Sequence, residues 1–233
     1  VKESLKIEDS RYRSDRLWLL HSIGDAYRKI GDSCHLETCQ FIIEKHCLSK
    51  SECYKRSLPY YRQAIETNRE VFEVWQKLGK ANRQLGLYQE SLENYEEAIR
   101  VRNRNTKKHL KFTPNLLANQ AFVLQRLGRS EAKQKFKEAL DQGHAKLNRY
   151  RTKQEPDDIY CTGIAQCYFD IARCYALQNQ PRKANEYLEL AETSGSEKFK
   201  QLVRKWAEAD SDFENWYHWC QEQQNKPLIN SQS

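Results

Sequence analysis

The chain has 233 residues, with 39 Lys and Arg against 32 Asp and Glu, a formal net charge of +7. Its 8 Gly and 5 Pro are about half the usual combined share of roughly 12%, which disfavours a many-stranded sandwich or barrel. No apolar run approaches the ~20 residues that cross a bilayer, and the first residues form no signal-peptide core. A membrane protein, a secreted disulfide scaffold and a disordered tail are all disfavoured.

Taken in chain order, the sequence repeats one pattern of small and large residues. Leu20, Ile23, Gly24, Tyr27 and Gly31 mark a first helix. After an insertion at 33–54, Ser57, Tyr61 and Ala64 mark a second. The pattern is sharpest next: Trp75, Leu78, Gly79 and Asn82, then Gly86, then Ser91, Tyr95 and Ala98. Leu117, Ala121, Leu124 and Gly128 follow, completed by Ala132, Phe136 and Ala139. Tyr168, Ile171, Ala172 and Tyr175 open a fourth unit, completed by Ala184, Leu188 and Ala191. Helical spacing puts each set on one face. Gly79 and Ser91 are small enough to let two antiparallel helices approach, and Gly86 sits where a helix ends in the left-handed conformation.

The pattern resembles the tetratricopeptide repeat, a 34-residue helix-turn-helix unit with W-x2-L-G-x2-Y followed by A-x3-F. Asn82 and Ser91 depart from it. The resemblance implies an all-α fold, a right-handed α-solenoid of about four such units with a C-terminal capping helix. The expected organisation is a single repeat domain over 1–233, with units at about 17–66 (insertion 33–54), 72–101, 114–141 and 165–192 and an end helix at 196–223. Cys174 to Gln178 and Ala209 to Phe213 are similar to the last repeats of tetratricopeptide arrays in cyanobacterial-type multidomain proteins. Val1 to Ile7 aligns with Tyr95 to Val101, the tail of a second helix, and the chain has no Met. Both features predict a piece of a longer protein that begins inside a repeat.

Catalytic and nucleotide-binding motifs are absent from the sequence. His35-Leu36-Glu37 has no P-C-x-x-C to complete a zinc-deaminase signature, and His218 and Cys220 are two residues apart, facing different ways on a helix. A non-enzymatic chain without cofactors is expected. Cys34, Cys39, Cys47 and Cys53, with His35 and His46, supply enough ligands for a tetrahedral zinc site. Their spacing lacks the tight C-x2-C knuckle, and Leu36, Cys39, Ile43 and Cys47 also read as a buried helical stripe. Core cysteines are the favoured reading. Cys161, Cys167 and Cys174, seven apart, read as core too. Reduced thiols and a cytoplasmic location follow by default.

In a solenoid of this kind the first helices line a concave face. Offset from the intra-unit seam places His21, Arg28, Lys29, Gln76, Lys80, Arg83, Gln84, Phe122, Arg126, Phe169 and Arg173 on it. Such a basic, partly aromatic groove suits a protein or peptide partner carrying Asp or Glu, which agrees with the family's role. The C-terminal carboxylate clamp of some members is not carried over, because Asp25 and Phe122 stand where polar amide or basic groups are needed. A second reading uses the connector Arg102, Arg104, Lys107, Lys108 and Lys111 to contact nucleic acid, although no aromatic stacking platform interleaves with that run. A third is a plain structural scaffold. Phe213 and Trp216 are expected to cap the last core; an exposed docking pair, Tyr217 and Trp219, is the less favoured alternative. Neither the partner nor the oligomeric state is written in the sequence.

Overall fold

The computed structural model describes residues 2–33, 49–105, 114–152, 158–194 and 197–224, with side chains from residue 12 onward except 105, 158–161 and 197–199. Among these residues there are ten α-helices and one 3-10 turn, and no strand. The helices are α1 (Lys2–Asp32), α2 (Lys50–Thr67), α3 (Phe72–Gln84), α4 (Tyr88–Asn105), α5 (Pro114–Arg126), α6 (Ala132–Arg151), α7 (Asp158–Leu177), α8 (Pro181–Ser194), α9 (Glu197–Glu208) and, after the 3-10 turn Ser211–Phe213, α10 (Glu214–Gln224). The all-α repeat architecture expected from the sequence is the one observed. The chain divides into two compact units, Val1–Ala139 and Leu140–Ser233.

In the first unit α1 packs on α2 and α3 on α4, with α2 against α3 and α4 against α5. Each second helix buries a small, a large and a small residue at i, i+4 and i+7. In α2 these are Ser57, Tyr61 and Ala64, and in α4 Ser91, Tyr95 and Ala98, all at 0% exposure. The large residue is a tyrosine whose ring lies against a glycine of the preceding helix. A Cβ added at Gly24 would stand 2.8 Å from the Tyr61 ring, and one at Gly79 would stand 2.9 Å from the Tyr95 ring. Any side chain there forces the pair apart, so glycine sets the interhelical distance. The Ser91 hydroxyl donates to the Gly79 carbonyl at 2.7 Å and ties the same crossing.

The three turns described between first and second helices, after α3, α5 and α7, share one geometry. The N–H of Gly86 donates to the Arg83 carbonyl and that of Leu87 to the Asn82 carbonyl, a Schellman motif that needs a left-handed residue. Gly86 provides it at φ +76° and Gly128 at φ +68°. After α7 the same position is held by Asn179 at φ 56°, with Gln180 donating to the Tyr175 carbonyl. Pro181 then opens α8, at a site where a missing N–H costs nothing.

In the second unit α7 and α8 form the main pair. Ala184, Leu188 and Ala191, each at 0% exposure, repeat the small-large-small triad. Val203 and Ala207 of α9 and Phe213 and Trp216 complete the core.

Three stretches differ from the sequence expectation. α2 starts at Lys50, inside the expected insertion, because Ser49 caps it by accepting from the Glu52 N–H at 3.1 Å; Cys53 is therefore a buried helical residue. α4 runs on to Asn105, so Arg102 and Arg104 are helical and not part of a connector. The end helix is broken into α9 and α10: Asp210 leaves helical geometry (φ −104°, ψ 118°) and accepts from the Asp212 N–H. Tyr217 and Trp219, an exposed docking pair in the less favoured reading, are half-buried against the core of the second unit.

The break is held by charge. Arg173 of α7 reaches Asp210 at 2.7 Å and Asp212 at 3.5 Å, with Asp170 on its own helix at 3.9 Å. Burial opposes the guanidinium's charge, but the three carboxylates more than restore it and raise its pKa. Removing one member of such a buried set leaves uncompensated charges.

Two stability outcomes follow. Gly79→Ala gains helix propensity of up to about 1 kcal/mol, yet overpacking against the Tyr95 ring costs about 1–3 kcal/mol; a lower urea midpoint is expected, and a higher one contradicts the packing account. Arg173→Met lowers the unfolding free energy by about 3–5 kcal/mol, whereas Arg182→Met, whose side chain is 87% exposed, leaves the urea midpoint unchanged.

Candidate functional site

The first helices of the first unit carry most of the residues expected to meet a partner, and the structure sorts them into two groups. One group is engaged within the protein. On α1, Asp25 and Asp32 lie two turns apart with Arg28 between them. The Arg28 Nε donates to Asp25 at 3.2 Å and its Nη1 donates to Asp32. From α2, the hydroxyls of Tyr61 and Tyr54 donate to Asp25 and Asp32, each at 2.8 Å. From α3, the Lys77 Nζ donates to Asp25, and the Lys80 Nζ is 3.3 Å from Asp32. Three helices thus converge on two carboxylates. Arg28 and Lys80, expected to seek an acidic partner, face the protein's own aspartates.

Burial alone raises the Asp25 pKa. The Lys77 hydrogen bond, the charges of Arg28 and Lys77 and the Tyr61 hydroxyl outweigh it and hold the carboxyl at about 2. His21, one turn earlier and half-buried, stays neutral more readily, because burial and then the Lys77 charge lower its pKa. Its ring is tilted against that of Tyr61, with centroids 6.5 Å apart.

The second group is more open. Lys29 and Arg126 are exposed, while Gln76, Gln84 and Phe122 are half-buried. Arg83, Phe122 and Arg126 meet: both guanidinium carbons lie 5.1 Å from the Phe122 ring centroid. Arg83 itself is buried, at 5% exposure. Guanidinium groups on a ring face gain cation–π attraction, more so where water is excluded.

The remaining expected groove residues, Phe169 and Arg173, are on α7 of the second unit. Phe169 is buried, its ring centroid 5.2 Å from that of Phe213, and Arg173 lies 5.1 Å above the Phe169 ring. Of the basic run, the Arg102 guanidinium sits 4.7 Å from the Phe72 ring centroid, and burial lowers its pKa. Arg104 is 3.8 Å from Glu70. Lys107, Lys108 and Lys111 lie outside the described residues, as do Cys34, Cys39 and Cys47. Among the described residues no group of three or more His, Cys, Asp or Glu is arranged to hold a metal ion. Burial pushes the Cys167 thiol up to about 11 and the Cys174 thiol to about 12, so both remain protonated.

Asp32, Lys77 and Tyr54 were not singled out from the sequence. The signal for Asp32 and Tyr54 was a shared period of seven, Asp25 to Asp32 and Tyr54 to Tyr61, which pairs two helical faces turn for turn; Lys77 had no such signal.

The geometry is that of an all-α helical-repeat protein. Residues 72–105, the α3–α4 pair, match the family model of the tetratricopeptide repeat. Among solved structures the chain is similar to BtubC (BKLC) from P. vanneervenii, at 14% identity over 95% of each chain with a TM-score of 0.40. No curated protein matches the chain. Among the described residues no helix is long and apolar enough to cross a membrane.

The Asp25 node has a pH signature. Its folded pKa of about 2 lies below the ordinary ~3.9, so its stabilisation is complete above about pH 5 and lost as pH falls towards 2. His21, lowered from the ordinary ~6.5, removes further stability once acid begins to charge it. Asp25→Asn is expected to melt lower than the parent at pH 7, with the gap closing between about pH 5 and 2. A gap independent of pH in thermal melts contradicts the assignment.

Proposed function

We propose that the chain is a non-catalytic protein-interaction module whose first-helix face in the first unit receives a segment of a partner protein. The observation that carries this reading is the tetratricopeptide repeat at 72–105, because such repeats generally mediate protein–protein interaction. The receiving surface is built from Lys29, Gln76, Gln84, Phe122 and Arg126, with Lys80 and Arg83 behind it as supports. Half-buried Phe122, with a guanidinium on its ring, offers apolar contact beside positive charge, which favours a segment with Asp or Glu close to an apolar residue. His21 and Arg28 hold the α1 side of this face in position.

Nucleic-acid binding through Arg102, Arg104, Lys107, Lys108 and Lys111 is the weaker reading. Arg102 is engaged with Phe72, and Arg104 faces Glu70, which leaves less positive charge for phosphates. A cytoplasmic setting suits buried, protonated thiols.

The test avoids Lys80, because reversing it breaks the Asp32 pair. Fluorescence anisotropy against a set of acidic, neutral and basic 12-residue peptides is expected to show salt-sensitive binding of acidic peptides only. In the Lys29→Glu/Arg126→Glu double variant that binding weakens about 5- to 30-fold, in keeping with one or two exposed charge contacts. Unchanged affinity, or tighter binding of an RNA oligonucleotide than of any peptide, contradicts the proposal.

A further inference from the structure

Helix α1 carries the receiving face further than Lys29, and the register of the repeats shows how far. Gly24 and Gly79 hold equivalent places, each beneath a tyrosine ring of the following helix. Counted from these glycines, His21 corresponds to Gln76 and Lys29 to Gln84, and on the same line Trp18 corresponds to Glu73. Trp18 is 69% exposed. A lone exposed ring means little by itself, but the same line is open on α3, where Glu73 is exposed although both α1 and α5 pack against that helix. Leu19 is different. It corresponds to Val74, which is wholly buried, and so belongs to the packing side of α1.

Trp18 and Lys29 share one stripe of α1, because the residues between them make about three turns, roughly 16 Å of axis. The two ends of this stripe differ in kind. α1 and α3 run parallel, since Lys77 meets Asp25 and Lys80, one turn on, meets Asp32. Exposed Lys29 therefore lies at the same end as Arg83, which brings Arg126 to it across the Phe122 ring. By the same register Glu73 comes level with His21, one turn from Trp18, and its charge acts on that histidine. Glu73 opposes an acidic residue at the Trp18 end. A basic residue is opposed in turn by Arg102, which sits on the Phe72 ring and already feels the Glu73 charge. Beside Trp18 this leaves apolar contact, the main contribution that a ring of this size can make. Between the two ends lies half-buried Gln76. Its carboxamide both donates and accepts, which suits the open backbone of an extended segment; the middle of a helical segment has no unpaired backbone groups to meet it.

We propose that the receiving face takes an extended segment of a partner protein, with an acidic residue at Lys29 and Arg126 and an apolar side chain on the Trp18 ring. This arrangement depends on the peptide-binding reading and adds to it a second contact, a direction and a spacing. At roughly 3.3 Å per residue of extended chain, the acid and the apolar residue stand about five positions apart.

Fluorescence anisotropy tests it with 12-residue peptides that hold an acid pair and, at three, five or eight positions from it on either side, one Leu in place of Ala. The expected result is an affinity about 5- to 10-fold higher for Leu at five positions on one side, with little gain at three or eight. Trp18→Ala removes that gain and leaves the affinity of the Ala peptide unchanged, whereas Leu19→Ala leaves both unchanged; circular dichroism confirms that the two variants fold. The proposal is overturned by the absence of any gain, by a gain that survives Trp18→Ala or is equal at all spacings, or by a larger gain when Lys replaces Leu. In each of those cases binding of the acidic peptides still stands, and with it the peptide-binding reading. If no acidic peptide binds the unaltered chain, both fall.

Discussion

Much of the first unit depends on one node, where the ring of Tyr61 lies on Gly24 and its hydroxyl donates to Asp25. The absent side chain at Gly24 lets α1 and α2 approach, and the tyrosine ring fills the space between them. The same tyrosine then reaches out of the apolar seam to a carboxylate that also binds Lys77 of α3. Apolar close approach and ionic fastening are joined in a single side chain. In the next pair Tyr95 repeats both roles more quietly, with its ring on Gly79 and its hydroxyl 3.4 Å from Asn119 of α5. Each tyrosine therefore secures its own helix pair and reaches a polar group beside the following pair.

This node decides what the first-helix face can offer a partner. A cation that holds an internal aspartate is costly to redirect, because the carboxylate left behind loses its compensation. Charge counted along the sequence thus overstates the charge free for recognition. The face left over combines Phe122, two amides and the exposed Lys29 and Arg126. Such a surface selects by shape and a few contacts, and less by bulk attraction. Arg173 shows the same economy in the second unit, where a cation on a first helix fastens the 3-10 turn before α10.

The helix pairs were legible in the sequence because packing imposes a period. Ser57, Tyr61 and Ala64 repeat as Ser91, Tyr95 and Ala98, and a small residue must face each ring. Gly86 and Gly128 were legible as helix stops for the same local reason, left-handed geometry. Asn179 was not, since asparagine reaches that geometry without announcing it. The partners of the cations were hidden because they are distant in sequence. Asp210 and Asp212 stand 37 and 39 residues beyond Arg173, and no local periodicity links them. Offset rules place a residue on a helix face but do not say which neighbour lies opposite, so Phe169 meets Phe213 and Arg173 meets Asp210 where a groove was expected. Ser49-x-x-Glu52 was a readable capping signal, and it places Cys53 on a helix, in a buried seam.

The measurement closest to this account is the titration of individual carboxyl groups in the folded chain by carbon-detected NMR. If three helices converge on Asp25 as described, its carboxyl titrates near 2, and Lys77→Met moves it upward. A carboxyl that titrates at the ordinary carboxylate value of about 4, unmoved by Lys77→Met, contradicts the claim that the first-helix charges are fasteners and returns them to the surface as free recognition groups.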